Sequence, residues 1–234
     1  MTTNAAPATN ITVDIVSDTA CPWCFIGKRR LEKAMDIVKQ RHPNTTFSVN
    51  WHPYQLDATL STTPIKKLDM YARKFGPDRS TQVQQRMIQV GEGDGIHFTY
   101  DGNIVNTMMS HRLIKYAADY DNKQQQQGGT PSHRQDAIVE ELFKDYFESN
   151  KCGELESLVE AAAKVGFDRD EIRAYLSSDQ GVQEIKQEIA HARAEGVQGV
   201  PHFTIQDKYV LSGAQEPSTF AEVFGRVLQA QQNH

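Results

Sequence analysis

The 234-residue sequence has no apolar run approaching the ~18 residues of a membrane-spanning helix, so no membrane partner is expected. It also lacks an excess of basic charge. Its 25 Lys and Arg against 30 Asp and Glu give a net charge of −5, which removes the electrostatic basis for general nucleic-acid binding. Cysteine is scarce: Cys21, Cys24 and Cys152 cannot build a disulfide framework. Residues 1–10 carry neither the basic start nor the apolar core of a secretion signal. They read as a disordered tail, and a cytoplasmic, reducing compartment is the expectation. What remains, 38% hydrophobic and 24% charged residues, suits a folded chain of one large domain or two modest ones.

Hydrophobic periodicity divides the chain into three parts. Ile11 to Val16 alternates apolar and polar residues, with β-branched side chains, and reads as a strand. From Pro22 to about Arg41 the period becomes helical, with Cys24, Leu31, Ala34, Met35 and Val38 on one stripe. A second strand over Phe47–Trp51 completes a βαβ unit. Residues 64–195 read as almost wholly helical, with candidates at 65–75, 80–90, 106–120, 133–148, 154–165, 168–176 and 181–194. Asp168 and Glu171 resemble a capping pair, and Gly166 and Gly196 stand where helices end. The Gln/Gly-rich tract at 122–130 reads as a mobile loop within that block. A hairpin from Pro201 to Leu211 and a helix from Pro217 to about Gln231 follow. The order βαβ, helical block, ββα is that of an α/β chain with a thioredoxin fold, a large α-helical insertion separating its halves. Residues 11–63 and 196–232 form the thioredoxin-fold domain and 64–195 the insertion.

Cys21-Pro22-Trp23-Cys24 stands at the strand-to-helix junction. Two cysteines three apart at a helix start lie within disulfide range. Unpaired N–H groups and the helix dipole favour an anion at Cys21, and the thiolate is the species that attacks in exchange. Cys24 falls on the buried stripe, so one exposed sulfur and one shielded sulfur are expected. Asp18 opposes a thiolate if it points inward, and Lys28, Arg29 and Arg30 partly offset it. Two other readings compete. A zinc site needs four ligands where this motif supplies two, and Cys152 with eight scattered histidines does not complete one, so no metal is expected. The spacing can also arise by chance, with both thiols inert in a core. Cys152 reads as an ordinary helix-edge thiol. The second feature is Gly199-Val200-Pro201, ahead of the returning strand. Its proline either starts that strand or forms a cis bond that brings Val200 against the sulfur, its backbone free to pair with a substrate strand.

Taken together, these motifs resemble the FrnE-like branch of the DsbA family. Ser17-Asp18, Cys21-Pro22-Trp23-Cys24 and the following Phe25 to Glu32 resemble its active-site stretch. Asn106-Thr107 with His111-Arg112-Leu113 resembles its helical-domain motif, and Gly199-Val200-Pro201, Phe203 and Leu211 to Gln215 its proline loop and last hairpin. The resemblance implies Cys21 as nucleophile, Cys24 as resolving thiol and Pro201 in cis. It places Asn106, His111 and Trp51-His52-Pro53-Tyr54 along the active-site groove. His111 and His52 can equally be ordinary polar residues of a helix and a loop, and strand alternation turns His202 outward. The glutamine tract departs from the family pattern, and no second cysteine pair is present, so one redox centre is expected.

Thiol–disulfide exchange with protein or small-molecule thiols is the leading expectation. No bound cofactor is called for, glutathione is a candidate co-substrate, and the chain would act as a monomer or homodimer. The alternative is a glutathione-dependent transferase or isomerase of this fold. That group resembles Ser-Pro-x-Ser at the motif and has Ser-Asp where this chain has Ala214-Gln215. A binding module without turnover is the third reading.

Overall fold

The computed structural model describes residues 9–128 and 132–232. Strand β1 (Thr9–Ser17) runs parallel to β2 (Thr45–Pro53) with helix α1 (Pro22–Arg41) crossing between them. After the insertion, β5 (His202–Ile205) and β6 (Tyr209–Ser212) return as an antiparallel hairpin, and α9 (Pro217–Gln232) ends the fold. The sheet order is β2-β1-β5-β6. Strand period explains the two faces of β1. Ile11, Val13 and Ile15 are fully buried with Phe203 and Ile205, each side chain contributing about 1.5–3 kcal/mol on leaving water. On the other face Asp14 bonds Asn50 and His52, and Asn10 bonds Ser48.

The insertion contains α2 (Lys67–Phe75), α3 (Pro77–Gly93), α4 (Met108–Gln126), α5 (Arg134–Phe147), α6 (Leu155–Lys164), α7 (Arg169–Ser177) and α8 (Val182–Ala194). Asp168 caps α7 by accepting the N–H groups of Asp170 and Glu171. Gly166 and Gly196 adopt the positive φ that closes a helix with little strain. None of the described helices is long and apolar enough to cross a membrane.

The block is almost wholly helical, as expected, with one short strand pair within it, β3 (Ile65–Lys66) against β4 (Asn103–Ile104). Three expectations are corrected. Glutamine and lysine are good helix formers, so 122–126 continue α4 and the chain turns only at Gln127-Gly128. Positions 129 and 130 of the expected loop lie outside the described residues. Of the expected tail, Thr9 and Asn10 belong to β1, and residues 1–8 lie outside the described residues. Cys152 is no helix-edge thiol: it is buried in the connection between α5 and α6.

Helix α1 is fastened to the insertion by packing and by charge. Phe25 stacks on Phe143 with centroids 5.1 Å apart and on Phe147 at 6.0 Å. The buried Lys28 ammonium meets Asp136 at 3.1 Å, Glu140 at 3.4 Å and Glu32. Arg29 grips both oxygens of Glu140, the bidentate geometry that makes such pairs strong. Arg30 and Lys33 share Asp94 at 2.9 and 3.0 Å. Helix α5 also closes the open edge of β2. Gln135 accepts the Trp51 N–H and donates to the Trp51 carbonyl, and the Trp51 indole donates to Asp136.

Burial works against the Glu140 charge, but hydrogen bonds from Arg29 and Lys144 and the charge of Lys28 outweigh it and hold the carboxyl at about 2. A carboxyl depressed in the fold stabilises it above its unfolded value of ~4.3 and loses that contribution as pH falls toward the folded value. Glu140→Gln is therefore expected to lower the urea midpoint at neutral pH, with the difference from the native chain shrinking between about pH 4 and 2. A constant difference across that range would contradict the clasp.

Candidate active site

Cys21 is the N-cap of α1 with extended backbone, and Pro22 occupies the first turn, where its missing N–H costs nothing. The Cys21 N–H donates to the Asp18 carbonyl and the Cys24 N–H to the Cys21 carbonyl, both at 3.0 Å. This tight turn brings the two thiols together. Cys21, the Ser17 side chain and the Asp18 backbone are the groups that act on the Cys24 thiol. Burial, reinforced by Cys21, pushes the Cys24 thiol well above its ordinary value. The expected split between an exposed and a shielded sulfur is corrected. Cys21 is only 4% exposed and Cys24 1%, whereas Trp23 between them is 37% exposed. Two groups act on or near Cys21. Its sulfur donates to the Val200 carbonyl at 3.6 Å, and Tyr71 of α2 lies near enough that Cys21, after burial, raises its phenol to about 12.

The Val200–Pro201 bond is cis, as the resemblance implies, and Gly213 of the hairpin end donates to the Pro201 carbonyl at 2.8 Å. The proline loop reaches α1 because that helix has no side chain at Gly27. A Cβ there would meet Pro201 Cγ and Phe203 Cζ at 3.0 Å each. Phe203 is buried in the face that α1 covers. Alternation therefore turns His202 to the opposite face, where burial lowers its pKa.

The remaining expected residues reach different places. His111 of α4 is buried behind the motif, its Nε2 3.6 Å from Asp18 Oδ1 and without a hydrogen-bond partner. The Asp18 carboxylate accepts the N–H groups of Leu56 at 2.8 Å and Ala20 at 3.3 Å. Asn106 is a fastener for the loop after β2. Its amide donates to Ala58 and Leu60 and accepts from Gln55 and from the Met108 N–H that opens α4. His52 pairs with Asp14 at 3.1 Å on the polar face of the sheet, so its bonding partner is a strand carboxylate. A groove of about 810 Å³ runs along β2 beneath α4, α5 and α8, and Ser17, Thr19, His52 and His111 line it. Lys28, Arg29 and Arg30 do not balance Asp18 as expected, since each is bonded to carboxylates of the clasp. Among the described residues no cluster of three or more His, Cys, Asp or Glu could hold a metal.

Tyr71 and Gly27 were missed by the sequence reading. A glycine inside an otherwise good helix is itself a signal of close packing. Tyr71 has no local signal, because only tertiary folding brings it within electrostatic reach of Cys21.

A family model described as DSBA-like thioredoxin domain matches residues 12–225. The structure of a probable DsbA oxidoreductase from Streptomyces coelicolor is 25% identical, with a TM-score of 0.79 over 94% of this chain and 90% of that one. A 2-hydroxychromene-2-carboxylate isomerase is 16% identical, with a TM-score of 0.63 over 95% and 98% of the two chains. The cytosolic disulfide reductase DsbM from Pseudomonas aeruginosa with GSH is 16% identical, with a TM-score of 0.59 over 93% and 99%. These last two are likenesses of fold alone.

Gly27→Ala tests the close approach of helix and proline loop. Alanine favours a helix by about 0.5–1 kcal/mol, so the variant is expected to stay folded. Its Cβ would displace Pro201, slowing the reaction of Cys21 with a disulfide probe by roughly tenfold or more. Stopped-flow rates beside a thermal melt separate the two effects, and an unchanged rate would show that the contact is not needed.

Proposed function

The chain belongs to the DsbA-like thioredoxin domain family, and on that premise we propose that it is a thiol–disulfide oxidoreductase working through Cys21 and Cys24. The observation that carries this reading is the closeness of two free thiols at the start of α1, with the Val200 carbonyl of the cis-proline loop against Cys21. The Cys21 thiolate attacks one sulfur of a substrate disulfide, forming a mixed disulfide and expelling the other sulfur as a thiolate. Cys24 then attacks Cys21 Sγ, closing the Cys21–Cys24 disulfide and releasing the second substrate thiolate. The substrate gains two electrons and the enzyme loses them. Two molecules of a monothiol such as glutathione restore the dithiol, leaving as their disulfide. The reverse sequence oxidises a substrate dithiol. Direction follows the potential of the pair relative to its compartment, ~30 mV corresponding to ~1.4 kcal/mol. A reducing cytoplasm would run the enzyme as a reductase.

The exposed Trp23 inside the motif supports substrates with apolar flanks, and Leu56, 46% exposed, is tied by its N–H to Asp18 three residues before Cys21. The transferase or isomerase alternative finds less support. At the position where that group carries an anchoring carboxylate, Gln215 donates its amide to the Ser212 carbonyl at 2.6 Å, and a neutral amide is a poorer partner for an ammonium.

Cys24→Ser is expected to accumulate mixed disulfides on Cys21, visible as adducts lost on reduction, while Cys21→Ser forms none. Reduction of the native chain should brighten fluorescence from Trp23, and Trp23→Phe should remove that change. Absence of both adduct and fluorescence change would overturn the redox reading. Saturable glutathione binding by a Cys21→Ser, Cys24→Ser double variant would favour the alternative.

A further inference from the structure

Strand β2 is an outer strand: β1 borders one side, and no strand borders the other among the described residues. The ladder fixes which of its peptide groups face outward. The Asn44 carbonyl accepts the Thr9 N–H, and the Tyr54 N–H donates to the Ser17 carbonyl, so even-numbered positions of β2 face β1. Thr45, Phe47, Val49 and Trp51 therefore face outward. Two of these four are already engaged. The Thr45 N–H donates to the His42 carbonyl, and the Gln135 amide serves both groups of Trp51. Between them the N–H and carbonyl groups of Phe47 and Val49 have no partner among the described residues. Both residues line the groove of about 810 Å³ along β2, a volume typical of ligand clefts (~300–1,000 Å³). Neither cysteine of the motif lines it, and no step of thiol exchange uses it.

We infer that this edge binds an extended segment of a partner polypeptide, added antiparallel as a fifth strand over Phe47 and Val49, with apolar and basic residues alternating along it. Unpaired main-chain groups supply the affinity of such an addition, and the flanking side chains supply its preference. Gln135 indicates the direction. One amide exchanges both bonds with one residue, Trp51, which is the hydrogen-bonded pair of an antiparallel ladder. The two faces of β2 set the side-chain pattern. Phe47, Val49 and Trp51 pack into the core together with Met35 of α1, whereas Ser48, Asn50 and His52 bond Asn10 and Asp14 on the polar face. An added strand continues this alternation, so every second residue of the occupant is apolar. Charge selects the others. Asp119, Asp121, Asp136 and Glu188 line the groove against Lys39 and Lys115. Lys115 is paired with Asp119, and Lys39 lies over the Phe47 ring on the apolar side. Glu188 makes no ion pair among the described residues, which leaves the polar side acidic and suited to Lys or Arg.

The probe is acetyl-Lys-Val-Lys-Val-Lys-amide, which carries no sulfur, so its outcome is independent of the thiol–disulfide reading. Its binding to the full chain is followed by amide hydrogen exchange, and in Trp23→Phe by the fluorescence of Trp51, which lines the groove. Saturable binding is expected, with exchange at Phe47 and Val49 slowed by at least about tenfold. Ser48 and Asn50, whose N–H groups already bond β1, should not change. Methylating both valine nitrogens of the probe should abolish binding, because those N–H groups meet the Phe47 and Val49 carbonyls. Methylating the central lysine nitrogen should not, because that N–H faces away. Val49→Pro removes one outward donor and no ladder bond, and it is expected to weaken the probe by about tenfold. Acetyl-Glu-Val-Glu-Val-Glu-amide should bind at least about fivefold more weakly than the lysine probe at low salt. Lack of saturation, protection centred away from Phe47 and Val49, or undiminished binding of the valine-methylated probe would each overturn the inference. So would equal or tighter binding of the acidic peptide. If Val49→Pro does not fold, the methylated probes decide.

Discussion

The site depends on how α1 is held at its two ends. Its first turn delivers both sulfurs and sets Cys21 against the Val200 carbonyl, and just beyond it the bare surface at Gly27 lets the proline loop approach. Farther along, Lys28 and Arg29 bind carboxylates of α5, and Arg30 and Lys33 bind Asp94 after α3. Interior packing density leaves little slack for such a helix to slide. The spacing between Cys21 and Val200 is thus set by the clasp as much as by the motif.

Three of these cations, Lys28, Arg29 and Arg30, explain an error of sequence reasoning. A run of basic residues within two turns of a cysteine looks like a field that favours a thiolate. In the fold each cation turns toward an acidic partner distant in sequence, at Asp94, Asp136 or Glu140, and its charge is neutralised there. Charge patterning reports which side chains are ionised, not where they point.

Elements with a clear period were legible: β1, α1, the final hairpin, α9 and most helices of the insertion, with boundaries displaced by a few residues. The motif and the proline loop were legible because their chemistry is local. The two-residue strands β3 and β4 were not, since such a short pair has no periodicity and exists only through its partner. The burial of Cys21 was also beyond reach, because the Val200 carbonyl that meets its sulfur lies 179 residues farther along the chain. Among histidines, residue type said little. His111 and His52 share one groove, yet one faces a buried carboxylate and the other a strand carboxylate on the solvated face.

Gln135 has a consequence for the protein in a crowded solution. A sheet whose outermost strand keeps free peptide groups invites another chain to extend it, which is how swapped dimers and fibres begin. The primary amide of Gln135 imitates a neighbouring strand for one residue, satisfying Trp51 on both sides. At that point the insertion ends the sheet, and any chain added alongside β2 would have to break this amide pairing before it could pass.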